Sequence, residues 1–450
     1  MDLFGTAGIR GPVSERVTPD LALRVGRAAG DDGAEFVVGR DGRTTGMGLA
    51  AAVEAGLESA GADVIRVGQI PTPTLAYASR GRRGVILTAS HNPPADNGLK
   101  LFVDGQQYPA GAESRIESRI EDDPAPAPWD EWGTTTRRDP LPDYRKAVVE
   151  YAETLGAPLD GLGVAVDCGN GVAGVATPPV LRMLGAHVRA LDANVDGHFP
   201  ARESKPTPEN IRGLRQFVAG SEAVEIGFAH DGDGDRIVVV DDDGDVIHED
   251  TVTAILADHF VRESSAGDPV VITTPNTSTR IDERVQAAGG RVERVALGSL
   301  HEGLADIPDT PETEVVLASE PWKYIFPDLG PWMDAIASAG VFARLVAESG
   351  LDALRAPVTE RPFRKVNVDC PDADKPAVMD RLAAELPAQF ASATASTDYG
   401  VRLEFPDDSW ALVRPSGTEP YIRLYAESDE VETLIDDVRA GIEDAVEAAT

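Results

Sequence analysis

Short apolar strands that alternate with helical stretches constrain the fold of this 450-residue chain more than any other feature. The apolar runs 36–38, 64–67 and 84–88 predict strands, and the intervening runs 46–60 and 73–79 predict helices. Alternation of this kind is typical of a sheet with parallel strands and with helices packed on its faces. The sequence therefore predicts an α/β architecture from its first stretch onward.

The same alternation starts again twice. A second unit is predicted around the strands 163–167, 225–229 and 237–240. A third is predicted around the strands 270–273 and 315–317. The repeated rhythm indicates three units of similar construction, although one sequence shows only the rhythm and not an internal sequence identity.

After Pro357 the pattern changes to four strand-like runs accompanied by two helices, which predicts an antiparallel sheet. The proline-rich run 121–142 sustains neither a helix nor a central strand, so it is predicted to be an edge excursion and a linker. The predicted organisation is three similar α/β domains with mixed sheets followed by a smaller C-terminal α+β domain: 1–140, 141–245, 246–356 and 357–450.

The charge balance limits the partners of the protein. With 41 Lys and Arg against 76 Asp and Glu, the formal net charge is −35, which repels phosphate backbones and anionic lipids. We therefore expect no nucleic-acid partner and no membrane partner. An acidic, lysine-poor composition is typical of a protein from a high-salt cytoplasm, where charge repulsion is screened. No signal peptide and no apolar run of about 18 residues is found, so a cytoplasmic location is expected.

The segment from Thr88 to Pro94 is the first candidate for chemistry. It places Ser90 and His91 on a loop directly after an apolar strand, at the strand edge where open α/β sheets bind ligands. A serine needs a base or charge support to act as a nucleophile, and a Ser/Asn turn before proline is the bland alternative. Lys100 enters the following strand, and it is one of only six lysines in the chain.

A second candidate is the run from His230 to Arg236. It carries Asp231, Asp233 and Asp235 at alternate positions between two apolar strands, with glycines that permit a tight loop. Three carboxylates on one loop can converge on a hard cation, and a site of few carboxylates that also needs a phosphate oxygen suits Mg²⁺. The alternative is a solvated charged turn. Apolar strands on both sides disfavour it, because they would bury three carboxylates, and burial of unneutralised carboxylates costs free energy.

Two further segments carry cations and flexible backbone. The run from Arg414 to Pro420, followed by Arg423, combines guanidinium groups, two hydroxyls and a glycine, which fits a phosphate cradle. A Ser-Gly-Thr turn between strands is the alternative. Near the N-terminus, Phe4 to Gly11 forms a glycine-rich turn that holds Arg10.

Taken together and in this order, these four segments resemble the α-D-phosphohexomutase family, and the resemblance covers the whole chain. Members of that family have three similar α/β domains and a smaller fourth domain around a central cleft. The resemblance implies an isomerase that interconverts hexose 1-phosphate and hexose 6-phosphate through a phosphoserine. It implies Mg²⁺ as cofactor and a bound hexose 1,6-bisphosphate as intermediate and activator.

The resemblance also implies a role for each residue. Ser90 matches the serine that carries the phosphoryl group and shares the metal with Asp231, Asp233 and Asp235. Lys100 matches the candidate general base. The remaining matches are His91 as acid, base or positioning residue, Arg236 and Arg10 as cations at the site, and Arg414, Ser416, Gly417, Thr418 and Arg423 as the grip on the distal phosphate.

One motif departs from the family. Its sugar-recognition loop commonly reads G-E-x-S-G-H, whereas this chain keeps Glu320 and then has Trp322, Lys323 and Tyr324. Trp322 and Lys323 are either sugar and anion contacts or a packing residue and a solvated one. The preferred substrate therefore stays open among glucose, mannose and glucosamine phosphates.

The expected partners are small hexose phosphates, bound by a monomer or a homodimer.

Two other functions share the same fold and the same residues. One is a non-catalytic protein that binds sugar phosphates, to which the altered loop points. The other is a phosphatase, which would admit water to the phosphoserine.

Overall fold

The computed structural model describes residues 3–5, 8–308, 310–417 and 419–449. Its strands form four sheets that occupy successive stretches of the chain. The first stretch has the elements β1 (Ile9–Pro12), α1 (Pro19–Gly30), β2 (Glu35–Arg40), α2 (Gly46–Ser59), β3 (Asp63–Gln69), α3 (Thr72–Ala78), β4 (Arg83–Leu87), β5 (Asp96–Val103), β6 (Gln106–Gln107), α4 (Ala110–Asp122) and β7 (Thr135–Arg137).

The first sheet is mixed, with the order β1-β5-β4-β2-β3-β7 and with β6 paired to β5. Strands β4, β2, β3 and β7 run parallel, and β5 runs antiparallel to both β4 and β1. The loop that contains Ser90 joins β4 to β5 at the carboxyl end of β4. The run 121–142, predicted to hold no helix, has helical ends, because α4 extends to Asp122 and α5 begins at Leu141 with a proline in its first turn; between them, β7 occupies the edge of the sheet.

The second sheet has the order β12-β11-β10-β8-β9, with β8, β9 and β10 parallel and the last hairpin antiparallel. The predicted domain boundary after residue 245 falls before β12, which pairs with β11 and therefore belongs to this sheet. Its elements are α5 (Leu141–Glu153), β8 (Gly163–Asp167), a 3₁₀ helix (Val172–Val175), α6 (Thr177–Met183), β9 (His187–Leu191), α7 (Arg212–Ala219), β10 (Ile226–His230), β11 (Ile237–Val240) and β12 (Val246–Ile247).

The third sheet is smaller, with the order β14-β13-β15-β16 and with only β16 antiparallel to its neighbour. The stretch comprises α8 (Glu249–Glu263), β13 (Asp268–Thr273), α9 (Thr279–Ala288), β14 (Arg291–Arg294), α10 (Leu300–Asp306), β15 (Thr313–Glu320), β16 (Lys323–Ile325), α11 (Ala335–Ser349) and α12 (Leu351–Arg355). Helix α11 is buried along nearly its whole length, and one continuous hydrophobic core joins it to the second and third sheets.

The fourth sheet is antiparallel throughout, with the order β17-β21-β20-β19-β18. It has its own core, in which Val378, Leu382 and Ile442 of the two helices are buried with the strand side chains. Its elements are β17 (Phe363–Asp369), α13 (Lys375–Gln389), β18 (Thr394–Ser396), β19 (Val401–Glu404), β20 (Trp410–Pro415), β21 (Tyr421–Glu427) and α14 (Val431–Ala449).

The predicted fold class is confirmed: three mixed α/β sheets are followed by an antiparallel α+β unit. Within the described residues, no helix has the length and apolar character needed to cross a lipid bilayer.

Candidate active site

Ser90 is fully buried and adopts a strained backbone conformation in the loop after β4. Its φ of 51° is in the left-handed region, which a residue with a Cβ rarely adopts. The Ser90 hydroxyl donates a hydrogen bond of 2.6 Å to Oδ2 of Asp231. The backbone N–H of Ser90 donates to Oγ1 of Thr88 at 2.9 Å. The turn thus aims the serine oxygen at the aspartate loop of the second unit.

The three aspartates lie on the loop between β10 and β11, and each is at most 2% exposed. One carboxylate oxygen of each lies within 4.8 Å of the others. Lys100 Nζ donates to Oδ2 of Asp233 at 3.1 Å and to Oδ2 of Asp235 at 3.0 Å. Thr72 also donates to Asp233, at 2.7 Å. The predicted serine, lysine and aspartates therefore meet at one place.

Electrostatics divides the three carboxyls into two kinds. Burial, followed by the neighbouring Asp235 and Asp233, raises the pKa of Asp231 to about 8. Burial also opposes ionisation of Asp233 and Asp235, but Lys100 and the nearby arginines outweigh it, and the pKa of both groups is lowered. Asp233 and Asp235 are therefore ionised at neutral pH with their charge balanced by Lys100 and the arginines, whereas Asp231 keeps its proton up to about pH 8.

The residues fit a bound Mg²⁺. Oδ1 of Asp233 and Oδ1 of Asp235 are buried and have no hydrogen-bond partner. A buried carboxylate oxygen without a partner is costly, and a hard cation with oxygen ligands removes that cost. Asp231, Asp233 and Asp235 would hold the ion, as the sequence predicts, with an oxygen of a phosphorylated Ser90 as a further ligand.

A cleft of about 200 Å³ adjoins this cluster. Its walls come from the first three sheets, so the site is built where those units meet. Predicted site residues on its walls are Arg10, His91, Lys100, Asp235, Arg236, Glu320 and Lys323. Its other lining residues were not predicted: Thr72, Phe102, Gln107, Gly298, His301, Trp332 and Met333.

His91 is neutral in this environment. Burial, followed by Arg236 and Arg10, lowers the pKa of His91 to about 2. Its Nδ1 lies 3.4 Å from Oγ of Ser90. An imidazole with so low a pKa is a poor base at neutral pH, so of the two predicted roles the geometry favours positioning of the serine.

Lys100 is a protonated ammonium group. Burial lowers the pKa of Lys100, but Asp233 and Asp235 together outweigh burial and raise it above the usual value. The predicted general base would first have to lose that proton. As it stands, Lys100 is a proton donor and a positive charge beside the aspartates.

The altered sugar loop divides between the cleft and the core. Lys323 lies in the cleft, with Nζ 3.5 Å from Oδ2 of Asp235, and Glu320 is beside it. Trp322 adopts a positive φ of 68° and packs on the hydrophobic cluster around Leu214 of the second unit. Tyr324 is 1% exposed. Of the two interpretations of Trp322, the structure therefore supports the packing role, while Lys323 faces the cleft.

The predicted phosphate loop lies in the fourth unit, away from the walls of the cleft. Arg414 on β20 is opposite Arg423 on β21, and Arg414 Nη2 donates to the hydroxyl of Tyr425 at 3.0 Å. Ser416 is buried, and Gly417 has open space around its Cα. Thr418 lies outside the described residues.

Sequence reasoning missed two lysines beside this loop. Lys365 on β17 is opposite Tyr425, with Nζ 5.5 Å from the ring centre. Burial, followed by Arg236, Lys365 and Arg423, lowers the pKa of Lys205. Lys205 is therefore within electrostatic reach of Arg236 in the cleft and of Arg423 beside the phosphate loop. The scarcity of lysine was a signal that could have identified both residues.

Comparisons with known proteins cover most of the chain. Residues 1–126 match the family described as phosphoglucomutase/phosphomannomutase, alpha/beta/alpha domain I. Residues 142–244 match alpha/beta/alpha domain II of the same family, and residues 366–445 match its C-terminal domain.

Two curated relatives are similar along their whole length. A phosphopentomutase from Thermococcus kodakarensis is 41% identical over 95% of this chain and 94% of its own. A probable phosphoglucosamine mutase from Methanopyrus kandleri is 39% identical, also over 95% and 94%.

Solved structures agree. A phosphoglucomutase/phosphomannomutase family protein from Burkholderia thailandensis superposes with a TM-score of 0.87 at 26% identity, over 99% of this chain and 97% of its own. The N-acetylphosphoglucosamine mutase of Aspergillus fumigatus, solved with GlcNAc-6P and magnesium, shares the fold at 16% identity, with a TM-score of 0.58 and coverage of 100% and 96%.

Proposed function

Because the chain belongs to the α-D-phosphohexomutase family of phosphoryl-transferring isomerases, we propose that it is an Mg²⁺-dependent sugar-phosphate mutase with a phosphoserine at Ser90. The contact that carries this proposal is the hydrogen bond of 2.6 Å from Ser90 to Asp231. It places the serine oxygen against a buried carboxylate cluster that needs a cation. A serine with only a structural role would not require a buried carboxylate cluster around its hydroxyl.

In the proposed reaction, the bond between phosphorus and Ser90 Oγ breaks, and a bond from phosphorus to a sugar hydroxyl forms. The proton of that hydroxyl has to end on Ser90 Oγ. Lys100, an ammonium group in the cleft, is suited to give its proton to the serine oxygen and then take the proton of the sugar hydroxyl. When bound, Mg²⁺ supplies charge neutralisation at the transferring phosphoryl group.

The other phosphate of the substrate is assigned to the fourth unit. Arg414, Arg423 and the backbone at Gly417 present donors there, and Lys205 and Lys365 add positive charge. A ligand held at one end while it reacts at the other explains a bound 1,6-bisphosphate that turns over between two half-reactions. The proposed substrates are therefore hexose 1-phosphates and 6-phosphates of glucose, mannose or glucosamine.

A pentose phosphate is a second candidate substrate. The name of the Thermococcus kodakarensis relative favours it, since that protein is called a phosphopentomutase. The altered loop also favours it, because Lys323 occupies the cleft where the family motif has smaller residues.

A coupled assay over the 1-phosphates of glucose, mannose, glucosamine, ribose and deoxyribose tests the proposal. Each assay is primed with the matching bisphosphate and run with Mg²⁺ at high salt. Isomerisation of at least one sugar phosphate supports the proposal. Release of inorganic phosphate without isomerisation, or no reaction with any of them, contradicts it.

A further inference from the structure

Arg43 is a buried arginine that nothing above assigns to the site. Its side chain is 1% exposed and lies under the Ser90 loop. Nη1 donates to the carbonyl oxygens of Pro93 and Asp96, at 2.5 and 2.8 Å. Nη2 donates to the carbonyl oxygens of Ser90 and Asn92, at 2.9 and 2.8 Å. One guanidinium therefore holds four carbonyl groups of the loop.

The same arginine is itself fixed by Asp41. Nε of Arg43 donates to Oδ2 of Asp41 at 3.1 Å, and its backbone N–H donates to Oδ1 at 2.9 Å. Asp41 also accepts from Oγ1 of Thr88 at 2.7 Å, and that hydroxyl in turn accepts from the N–H of Ser90. The network therefore holds Ser90 by both its N–H and its C=O.

The left-handed backbone conformation of Ser90 indicates that this hydrogen-bond network does more than pack the loop against the sheet. A residue with a Cβ costs free energy in that region, and it stays there only where its surroundings over-determine it. Ser204 of the second unit adds a further bond, with Oγ donating to the Ser90 carbonyl at 3.0 Å. Without these hydrogen bonds, Ser90 would lower its free energy by returning to a common backbone conformation. That change would turn the serine oxygen away from Asp231.

We propose that Arg43 is the positioning residue of the phosphoserine loop, and that Asp41 and Thr88 complete its hold on Ser90. The proposal rests on the proposed function, because it concerns the rate at which Ser90 accepts and gives up a phosphoryl group. Arg43 acts through the backbone and takes no part in the transfer.

The chain offers a matched control in Arg344. It is 6% exposed, and its guanidinium donates to the carbonyl oxygens of Glu153, Leu155 and Gly156 at the end of α5. Like Arg43, Arg344 donates hydrogen bonds to several backbone carbonyls, but these carbonyls lie outside the Ser90 loop. A loss of stability alone should affect both arginines alike.

The experiment compares Arg43→Met, Arg43→Lys, Thr88→Val and Arg344→Met with the wild-type protein. Urea unfolding measures stability, steady-state assays measure kcat and KM, and intact mass follows phosphorylation of Ser90 by hexose 1,6-bisphosphate in a single turnover. We expect Arg43→Met to lower kcat and the phosphorylation rate about a hundredfold, as a displacement of about 1 Å does, with KM within threefold. Arg43→Lys should recover only part of the rate, because an ammonium group has three donors and no planar fork. Thr88→Val should also lower kcat, and Arg344→Met should leave it within twofold.

The outcomes separate the two claims. If the wild-type protein isomerises no sugar phosphate, the proposed function fails. If it is active and folded Arg43→Met keeps the wild-type kcat and phosphorylation rate, the positioning role is wrong. A fall in kcat that Arg344→Met shows to the same extent at equal stability also overturns it. If Arg43→Met does not fold, the same kcat and phosphorylation rate in Thr88→Val decide the matter.

Discussion

Asp233 and Asp235 each retain a buried carboxylate oxygen without a hydrogen-bond partner, although Lys100 lies beside both groups. These two oxygen atoms identify the site, because each of them lacks a hydrogen-bond donor. Lys100 reaches only the other oxygen of each carboxylate, at 3.1 and 3.0 Å. The free oxygens mark where a cation is required.

Asp233→Asn should raise the Mg²⁺ concentration for half-maximal activity by about tenfold or more, because it removes one charged ligand. It should also lower kcat at saturating Mg²⁺. The measurement is a Mg²⁺ titration of the mutase rate. Asp243→Asn, in the exposed turn between β11 and β12, is the control and should titrate like the wild-type protein. An unchanged titration for Asp233→Asn refutes Asp233 as a ligand.

Lys205 provides a second test at the level of a single side chain. It adjoins Ser204, whose hydroxyl contacts the Ser90 carbonyl, and the charges of Arg236, Lys365 and Arg423 act on it. Lys205→Gln should raise KM for the sugar phosphate about tenfold, the value of one lost charged hydrogen bond to phosphate, with a smaller effect on kcat. Initial-rate kinetics at fixed salt measure this.

Lys146→Gln is the matched control for that substitution. Lys146 is 71% exposed and pairs with Glu150 at 3.3 Å on the surface of α5. Equal KM values for the Lys205 and Lys146 variants would remove Lys205 from the phosphate site.

Among the elements, β10 ends in a histidine that couples folding to pH. His230 is fully buried, and its ring nitrogens contact Arg236 O at 2.9 Å and Thr177 Oγ1 at 3.1 Å. Burial lowers the pKa of His230 to about 4, against an ordinary value of 6.5. The folded protein therefore keeps this histidine neutral where the unfolded chain would protonate it.

The sign of the effect follows from that difference. The stabilisation is present in full above pH 6.5 and is lost as the pH falls towards 4, at about 1.4 kcal/mol per pH unit. Asp231 and His91 also titrate differently in the folded and unfolded states, so the test is a comparison. In urea unfolding from pH 7.5 to pH 5, the stability of the wild-type protein should fall more with decreasing pH than that of His230→Asn, by up to this amount per pH unit below pH 6.5. His187→Asn, at an exposed position on β9, should keep the wild-type slope. The prediction fails if the His230 variant keeps it as well.

Some helices could be predicted from the sequence and others could not, for physical reasons. The helix predicted over 46–60 is observed as Gly46–Ser59, because its alanine-rich sequence favours a helix whatever its neighbours. Helix α11 was missed because it is buried on nearly every side, so its sequence has no polar face to reveal a period. Side chains that the fold alone brings together, such as Thr72 with Asp233, leave no local pattern to read.

The candidate site divides in the same way. The loops with Ser90 and the three aspartates were predicted because their residue types and spacing are local. Trp322 was not resolved by the sequence, since an aromatic ring packs on a sugar or on a core equally well, and only the fold decides between them. Arg43 carries no motif at all, because its role depends on four carbonyls about fifty residues away.

The whole molecule combines an acidic exterior with a concentration of cations at the site. Of the six cations predicted to gather there, Arg10, Lys100, Arg236 and Lys323 line the cleft, while Arg414 and Arg423 lie together on the fourth sheet. The net charge of −35 is therefore assigned to the surface, where it repels itself unless salt screens it.

Raising KCl from about 0.1 M to about 1 M shortens the screening length from about 10 Å to about 3 Å. The melting temperature should rise over that range, because self-repulsion in the compact state is relieved. Differential scanning calorimetry measures it, with sucrose of equal osmolality as the control for a general solute effect. A melting temperature that is constant or falls with KCl contradicts the account.

The central claim is that Ser90 carries a phosphoryl group during turnover, and intact-mass spectrometry tests it most directly. The wild-type protein and Ser90→Ala are incubated with Mg²⁺ and hexose 1,6-bisphosphate, then digested to locate any phosphate. We expect one added phosphoryl group on Ser90 in the wild-type protein and none in Ser90→Ala, which should lose turnover while it unfolds like the wild type. A wild-type protein that isomerises sugar phosphates while Ser90 stays unmodified, or a Ser90→Ala variant of full activity, would contradict it.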